Sequence, residues 1–126
     1  MHAAAHTDFP PTHRDLVGPV LFELQALITA THDVHDKLEL VHIGHALRQL
    51  ADGGDVERLG REAGLVVIAQ VEAVDVQLES VERRVGEGGL DWGLIRRHML
   101  LASRRHRLVA LAVLLEDLVH ALRHAR

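Results

Sequence analysis

Between two glycine clusters the chain places an apolar residue at every third or fourth position, and this spacing limits the possible folds more than any other feature. The series is Val67, Val71, Val74, Leu78, Val81 and Val85. A repeat of about 3.5 residues lines these side chains along one side of an α-helix, where a second helix can cover them. Valine has a low helix propensity, but a seam of this length outweighs that preference. The pattern therefore predicts an all-α fold, built as a helical bundle.

The amino-acid composition supports a single domain with an aliphatic core. The 126 residues include 21 leucines and 15 valines, but only two phenylalanines, one tryptophan and no tyrosine. A chain of this length suits one domain. Cysteine is absent, which excludes disulfide bonds, thiolate metal ligands and a thiol nucleophile.

The two glycine clusters, at residues 53–54 and 86–89, predict the turns of antiparallel helical hairpins. Each cluster follows a periodic segment. Each also precedes an aspartate, Asp55 or Asp91, whose carboxylate can accept hydrogen bonds from the first free N–H groups of the next helix. We therefore expect new helices to begin at these two aspartates.

The N-terminal residues predict a flexible arm, residues 1–12, followed by one helical-bundle domain, residues 13–126. Thr12 and Asp15 match a capping box, which allows a short helical turn. Pro19 lacks the N–H group that a helix interior needs, so we expect the first long helix to begin at Pro19.

The number of helices depends on residues 30–33. From residue 19 to about residue 51 a single glycine and no further proline interrupt the chain, so we expect one long helix. Thr29, Thr31 and Asp33 offer an alternative, because each can cap a second helix. The sequence thus predicts three long helices, or four if the chain breaks at residues 30–33.

The last helix carries two apolar faces and therefore needs two partners. One face is a seam that begins at Leu94 and continues to Leu122. The other consists of Leu111, Leu114, Leu118 and Ala121. The neighbouring helix of the hairpin can cover only one of them. We expect a second copy of the chain to cover the other, which predicts a homodimer or a higher oligomer.

Charge is distributed unevenly along the chain. The last 36 residues carry seven basic and three acidic side chains, whereas the formal charge of the whole chain is −4. Four arginines share an arc of about 100° on the last helix: Arg96, Arg97, Arg104 and Arg107. These arginines can bind phosphate groups or an acidic partner. Folding about residues 86–90 offers the alternative of ion pairs across the hairpin, with Glu79 level with Arg97 and Glu72 level with Arg104.

Several partners and locations are disfavoured. A net negative charge disfavours nucleic acid as a partner, and no aromatic residue interleaves the arginines to stack on bases. The N-terminus lacks the apolar segment of a secretion signal, and charged or histidine residues interrupt every apolar stretch before it reaches membrane-spanning length. We therefore expect a cytoplasmic protein that does not bind membranes.

Histidine and carboxylate side chains recur at metal-ligand spacing. His35, Glu39 and His42 share one helical face, and one turn separates each from the next. A second group near the C-terminus consists of Asp117, His120 and His124. Such pairs resemble those of the ferritin-like and hemerythrin-like di-iron bundles, although Asp117 stands where the ferritin pattern has glutamate. The resemblance implies iron or another divalent metal as cofactor.

The predicted hairpins separate the two groups by about 14 Å along the bundle, so one chain cannot join them in a single site. The residues level with the first group are Glu72 and, one turn away, His106. We therefore expect a metal site of His35, Glu39, Glu72 and His106, with His42 on the same face, or a site that a second subunit completes.

Two functions follow as expectations. The first is a non-enzymatic interaction or assembly protein that self-associates through its last helix. The alternative is a metal-binding bundle that uses the histidine and glutamate side chains above. Enzymatic function is disfavoured, because the sequence contains no glycine-rich phosphate loop and no nucleophile elbow.

Overall fold

The computed structural model describes residues 11–89 and 91–125, and these residues form four packed α-helices. The helices are α1 (His13–Ala30), α2 (Val34–Ala51), α3 (Val56–Gly88) and α4 (Trp92–Arg123). The all-α prediction is confirmed. Most of the predicted N-terminal arm lies outside the described residues.

The chain breaks between α1 and α2, so the four-helix alternative is the one that forms. The Thr31 hydroxyl donates a 2.7 Å hydrogen bond to the carbonyl of Leu27, and the Asp33 carboxylate accepts one of 2.9 Å from the N–H of Asp36. Short polar side chains of this kind compete with the helical backbone pattern. A single helix from residue 19 to residue 51 is therefore not formed.

Helix α1 begins six residues earlier than the sequence predicts and continues through Pro19. Both hydrogen bonds of the capping box are present, because Thr12 and Asp15 each accept from the other's backbone N–H, at 3.1 and 2.9 Å. Gly18 and Pro19 both lie on the exposed side of α1. A carbonyl that loses its helical donor there can be hydrated, which makes the proline tolerable.

The predicted caps at the two hairpin turns are confirmed. Asp55 accepts from the N–H of Arg58 at 3.2 Å, and Asp91 accepts from the N–H of Gly93 at 2.9 Å. The glycines that end the preceding helices have positive φ, 88° at Gly53 and 75° at Gly89, a conformation that suits glycine.

The four helices pack in a ring, each against its two neighbours. Contacts join α1 to α2, α2 to α3, α3 to α4, and α4 back to α1, so that α2 and α4 occupy opposite corners. Aliphatic side chains from all four helices fill the centre. The largest fully buried ones are Leu24, Leu40, Ile43, Leu47, Leu50, Leu59, Leu108, Leu111, Val17 and Val67.

The helices differ in length, and this difference divides the molecule into two parts. Helices α1 and α2 have 18 residues each, about 27 Å, whereas α3 and α4 have 33 and 32, about 50 Å. The short pair covers only the part of α3 and α4 farther from their connecting turn. We call that four-helix part the bundle half. Residues 75–88 of α3 and 92–100 of α4 extend beyond it, and we call them the projecting hairpin.

The α3–α4 register differs from the predicted one by about one helical turn. Ion pairs join Glu57 to Arg123, Asp75 to Arg105, and Glu82 to His98. The predicted level pairs, Glu79 with Arg97 and Glu72 with Arg104, are not formed. The reason is local, because α3 continues through two glycines of its cluster and ends at Gly88, which moves the centre of the turn to about residue 90.

No helix of the described chain is both long enough and apolar enough to cross a bilayer.

Candidate functional site

The first group of predicted metal ligands lies on α2, but its members face different surroundings. His35 and His42 are exposed. Glu39 is half-buried, and its Oε1 accepts a 3.0 Å hydrogen bond from Nε2 of Gln70 on α3. Gln70 also donates to the carbonyl of Asp36, at 3.1 Å, which places it at the level that the α2–α3 hairpin predicts. The carboxylate of Glu39 therefore already has a partner inside the chain.

The other two predicted ligands do not face this group. Glu72 lies at the predicted level on α3, but it is exposed, whereas Gln70 occupies the side of α3 that faces α2. His106 lines a recess between α1 and α4 together with Glu23 and Leu27. Because α2 and α4 occupy opposite corners of the ring, His106 is remote from the exposed face of α2. The axial level was predictable from the hairpin, but the rotation of each helix was not.

One group of three potential metal ligands occurs among the described residues. Asp33, His35 and Asp36 offer ligand atoms that all lie within 4.8 Å of one another, at the start of α2. His35 is thus the only member of the predicted set in this group. Asp33 also accepts the cap hydrogen bond from the N–H of Asp36, and Asp36 lies 3.8 Å from Arg104. Both carboxylates therefore have structural partners.

The second apolar face of the last helix is largely covered within the chain. Leu111 and Leu118 are 2% and 4% exposed, and Leu114 and Ala121 are half-buried. Helix α1, which packs against α4 as a separate helix, is the second partner that this face needs. These four residues therefore do not form a free face.

An exposed apolar patch lies instead on the outer side of the α3–α4 pair. Its members are Leu65, Ile68, Val109 and Val113, with exposed fractions of 60%, 53%, 37% and 54%. Ile68 shares a shallow groove with Ala112, and this groove continues along the two helices to Arg123. The helical repeat places Val109 and Val113 on the same outer side of α4. We call these four side chains the outer patch.

The outer patch has charged side chains at both ends and along its edges. The ion pairs Glu57–Arg123 and Asp75–Arg105 bound it along the helix axes. Arg123 contacts Glu57 through two hydrogen bonds of 2.6 and 2.7 Å, which lower the pKa of Glu57 below its usual value and raise the pKa of Arg123. An apolar centre within a polar rim is the usual anatomy of a protein interface.

The four clustered arginines meet the end of the α1–α2 hairpin. A recess of about 560 Å³ opens there, and all four line it together with Asp33 and Leu100. Arg104 is held by the turn and by α3, because it donates 2.7 Å hydrogen bonds to the Thr31 hydroxyl and to Oε1 of Gln70. We call this cavity the arginine recess.

The arginine recess is a feature that the sequence predicted only in part. The cluster was visible from the spacing, but its walls come from the break between α1 and α2. The ion pairs that the sequence offered as the alternative, with Glu72 and Glu79, are not made. Within the described chain, Arg96, Arg97 and Arg107 form no ion pair, and Glu82 contacts His98 instead.

No family model, curated protein or solved structure matches this chain.

Proposed function

We propose that the protein is a non-enzymatic self-association module, in which the outer patch on α3 and α4 binds a second copy of the chain. The observation that carries the proposal is the patch itself, four aliphatic side chains that are each more than one third exposed. Removing such side chains from water stabilises a complex by about 25 cal/mol per Å². An exposed apolar patch with charged edges commonly marks an interaction site.

The size of the surface suits a dimer. The outer side of α3 and α4 is about 48 Å long and about 20 Å wide, which is on the order of 900 Å². A stable interface buries about 800 Å² on each partner. The outer side of this hairpin therefore offers enough area for one complete interface.

The charges favour a particular symmetric arrangement. A two-fold axis parallel to the helices places α3 of one copy over α4 of the other and keeps every residue at its own axial level. By the observed α3–α4 register, Arg61 on α3 lies near the axial level of Glu116 on α4. Both residues line the groove on the outer side of the two helices. In this arrangement Arg61 of one copy faces Glu116 of the other, so that opposite charges meet beside the outer patch.

Sedimentation velocity at micromolar concentration tests the proposal. We expect a species of twice the 14.0 kDa chain mass. The double variant Ile68→Glu/Val113→Glu should weaken association about 100-fold, because it buries charge at the centre of the interface. Its helix content by circular dichroism should stay unchanged, since both side chains are exposed.

A matched control uses a different exposed apolar pair. Val34 and Leu38 on α2 are 71% and 63% exposed. The variant Val34→Glu/Leu38→Glu introduces the same charges and should leave the dimer intact. A monomeric wild-type protein, or a dimer that only the α2 variant disrupts, would contradict the proposal. The predicted orientation has its own test: Arg61→Glu and Glu116→Arg should each weaken the dimer, and the two together should restore it.

We propose metal binding as a second candidate, because Asp33, His35 and Asp36 converge at the start of α2. Oxygen and imidazole ligands suit zinc, iron or manganese. Elemental analysis of protein purified without added metal should then find about one equivalent per chain. His35→Ala should remove that metal, whereas Glu39→Ala/His42→Ala should not. Less than a tenth of an equivalent, with no uptake of added metal, would exclude this candidate.

A further inference from the structure

We propose that the arginine recess is a binding site for a small anion that carries two or more phosphate groups. The recess lies where the α1–α2 hairpin ends and α4 continues into the projecting hairpin. It is remote from the outer patch, because it opens on the side of α4 that faces α1. The proposal is therefore independent of self-association.

The first argument is an excess of positive charge without internal partners. Four arginines line the recess against two aspartates, Asp33 and Asp36. Asp36 lies 3.8 Å from Arg104, and this contact partly neutralises it. Three guanidinium groups, on Arg96, Arg97 and Arg107, remain without an ion pair among the residues described.

The second argument is that part of the recess wall is rigid. The side chain of Arg104 is 18% exposed, and hydrogen bonds fix both of its terminal nitrogens, to Thr31 and to Gln70. Thr31 is itself 3% exposed and donates to the Leu27 carbonyl. The wall beside the three free arginines is therefore preorganised, which lowers the entropic cost of binding.

The chemistry and the size of the recess select the ligand. Guanidinium groups bind phosphate oxygens through paired N–H donors and keep their charge at every physiological pH. One turn of helix separates the level of Arg97 from that of Leu101, and two turns separate it from Arg104, about 10 Å along the axis. Four guanidinium groups spread over that length offer more paired N–H donors than the oxygens of one phosphate can use, which favours a di- or triphosphate.

The recess also has apolar walls. Leu27 and Ala30 line it from α1, and Leu100, which is 66% exposed, lines it from α4. Its volume of about 560 Å³ lies within the range of small-molecule sites. An organic group attached to the phosphates can therefore rest on this apolar surface. The proposed ligand class is an organic di- or triphosphate.

Isothermal titration calorimetry at low ionic strength, with inorganic pyrophosphate as the first probe, tests the site. We expect saturable binding of one pyrophosphate per chain, and binding at least tenfold weaker for orthophosphate. Adenosine diphosphate and triphosphate are the second arm. If either nucleotide binds more tightly than pyrophosphate, the apolar walls contact the organic group, as proposed. If the nucleotides and pyrophosphate bind equally, the site recognises the phosphates alone, which contradicts the organic part of the proposal.

The variant Arg96→Gln/Arg97→Gln should weaken pyrophosphate binding at least tenfold. The matched control Arg48→Gln/Arg83→Gln removes the same charge from exposed positions outside the recess, and it should stay within twofold of the wild type. Ile68→Glu/Val113→Glu should also bind normally, which separates this site from the dimer interface. Absence of saturable binding, an equal loss in both arginine variants, or binding of an acidic peptide in place of pyrophosphate would overturn the proposal.

Discussion

The bundle half and the projecting hairpin share one continuous seam between α3 and α4, but their surroundings differ. In the bundle half, Leu108 and Leu111 are 0% and 2% exposed, because α1 covers the side of α4 that α3 does not contact. In the projecting hairpin, Met99 and Leu100 are each 66% exposed, although the same helix carries them. A heptad seam alone therefore buries one row of side chains, and a second layer of helices buries the rest.

The sequence of α3 is adapted to this difference. On the side of α3 toward α2, Ala63 and Gln70 are buried in the bundle half. The corresponding positions of the projecting hairpin include Gln77 and Arg84, both exposed. Glutamine thus occupies both Gln70 and Gln77, but it is buried only where α2 covers α3. The side of the projecting hairpin that α2 leaves uncovered carries polar side chains on α3.

Substitutions in the seam should show the largest difference in unfolding free energy between the bundle half and the projecting hairpin. Val67→Ala in the bundle half, at a position of the same seam that is 0% exposed, should destabilise the protein by about 2–3 kcal/mol, because it leaves a cavity with neighbours on every side. Val81→Ala in the projecting hairpin should cost only about 1–2 kcal/mol, although Val81 is 3% exposed. Urea denaturation followed by circular dichroism measures both values. Equal costs would mean that the projecting hairpin is as well enclosed as the bundle.

Two helical glycines in α3 should respond to alanine with opposite signs. A Cβ at Gly60 would lie 2.6 Å from Cγ2 of Val119, a stiff β-branched side chain, so Gly60→Ala should cost about 1–3 kcal/mol. A Cβ at Gly86 in the projecting hairpin meets nothing within 4 Å. Gly86→Ala should therefore stabilise the protein by about 0.5–1 kcal/mol through helix propensity. Thermal unfolding of both variants checks the signs, and destabilisation by Gly86→Ala would contradict an open projecting hairpin.

The smallest expected effect is the pH dependence of the Glu57–Arg123 pair, at the end of the bundle half. The hydrogen bonds from Arg123 lower the pKa of Glu57 from its usual 4.5 in the folded state. This contribution to stability is therefore present above pH 4.5 and is lost as the pH falls through the lowered pKa. Glu57→Gln should be slightly less stable than the wild type at pH 7 and equal to it at low pH. A difference between the two proteins that does not change with pH would contradict this account.

The sequence was most informative where the signal is local. The apolar repeat predicted helices, and the aspartates after the glycine clusters predicted the caps at Asp55 and Asp91. Those bonds join residues two or three positions apart, so no distant contact decides them. The axial alignment of α2 with α3, which places Gln70 beside Asp36, was also predictable, because the short turn between the two helices leaves little freedom in their register.

The candidate sites were less predictable, because each depends on how a helix is rotated about its axis. Periodicity groups His35, Glu39 and His42, yet it cannot tell which side of α2 faces Gln70. A shift of two residues turns a helix by about 200°, and Glu72, at the predicted level, consequently faces away. The arginine cluster was visible in the sequence, but its recess requires the turn at Thr31, a residue 73 positions away from Arg104.

The sequence by itself determined an aliphatic, all-helical chain with antiparallel hairpins and a last helix that needs two partners. Only the tertiary structure decided that the second partner is α1, that α3 continues to Gly88, and that about one third of the long hairpin stays uncovered. The physical reason is that helix formation depends on residues a few positions apart. The choice of partner depends on the total burial that alternative packings achieve, and each alternative satisfies the same local pattern.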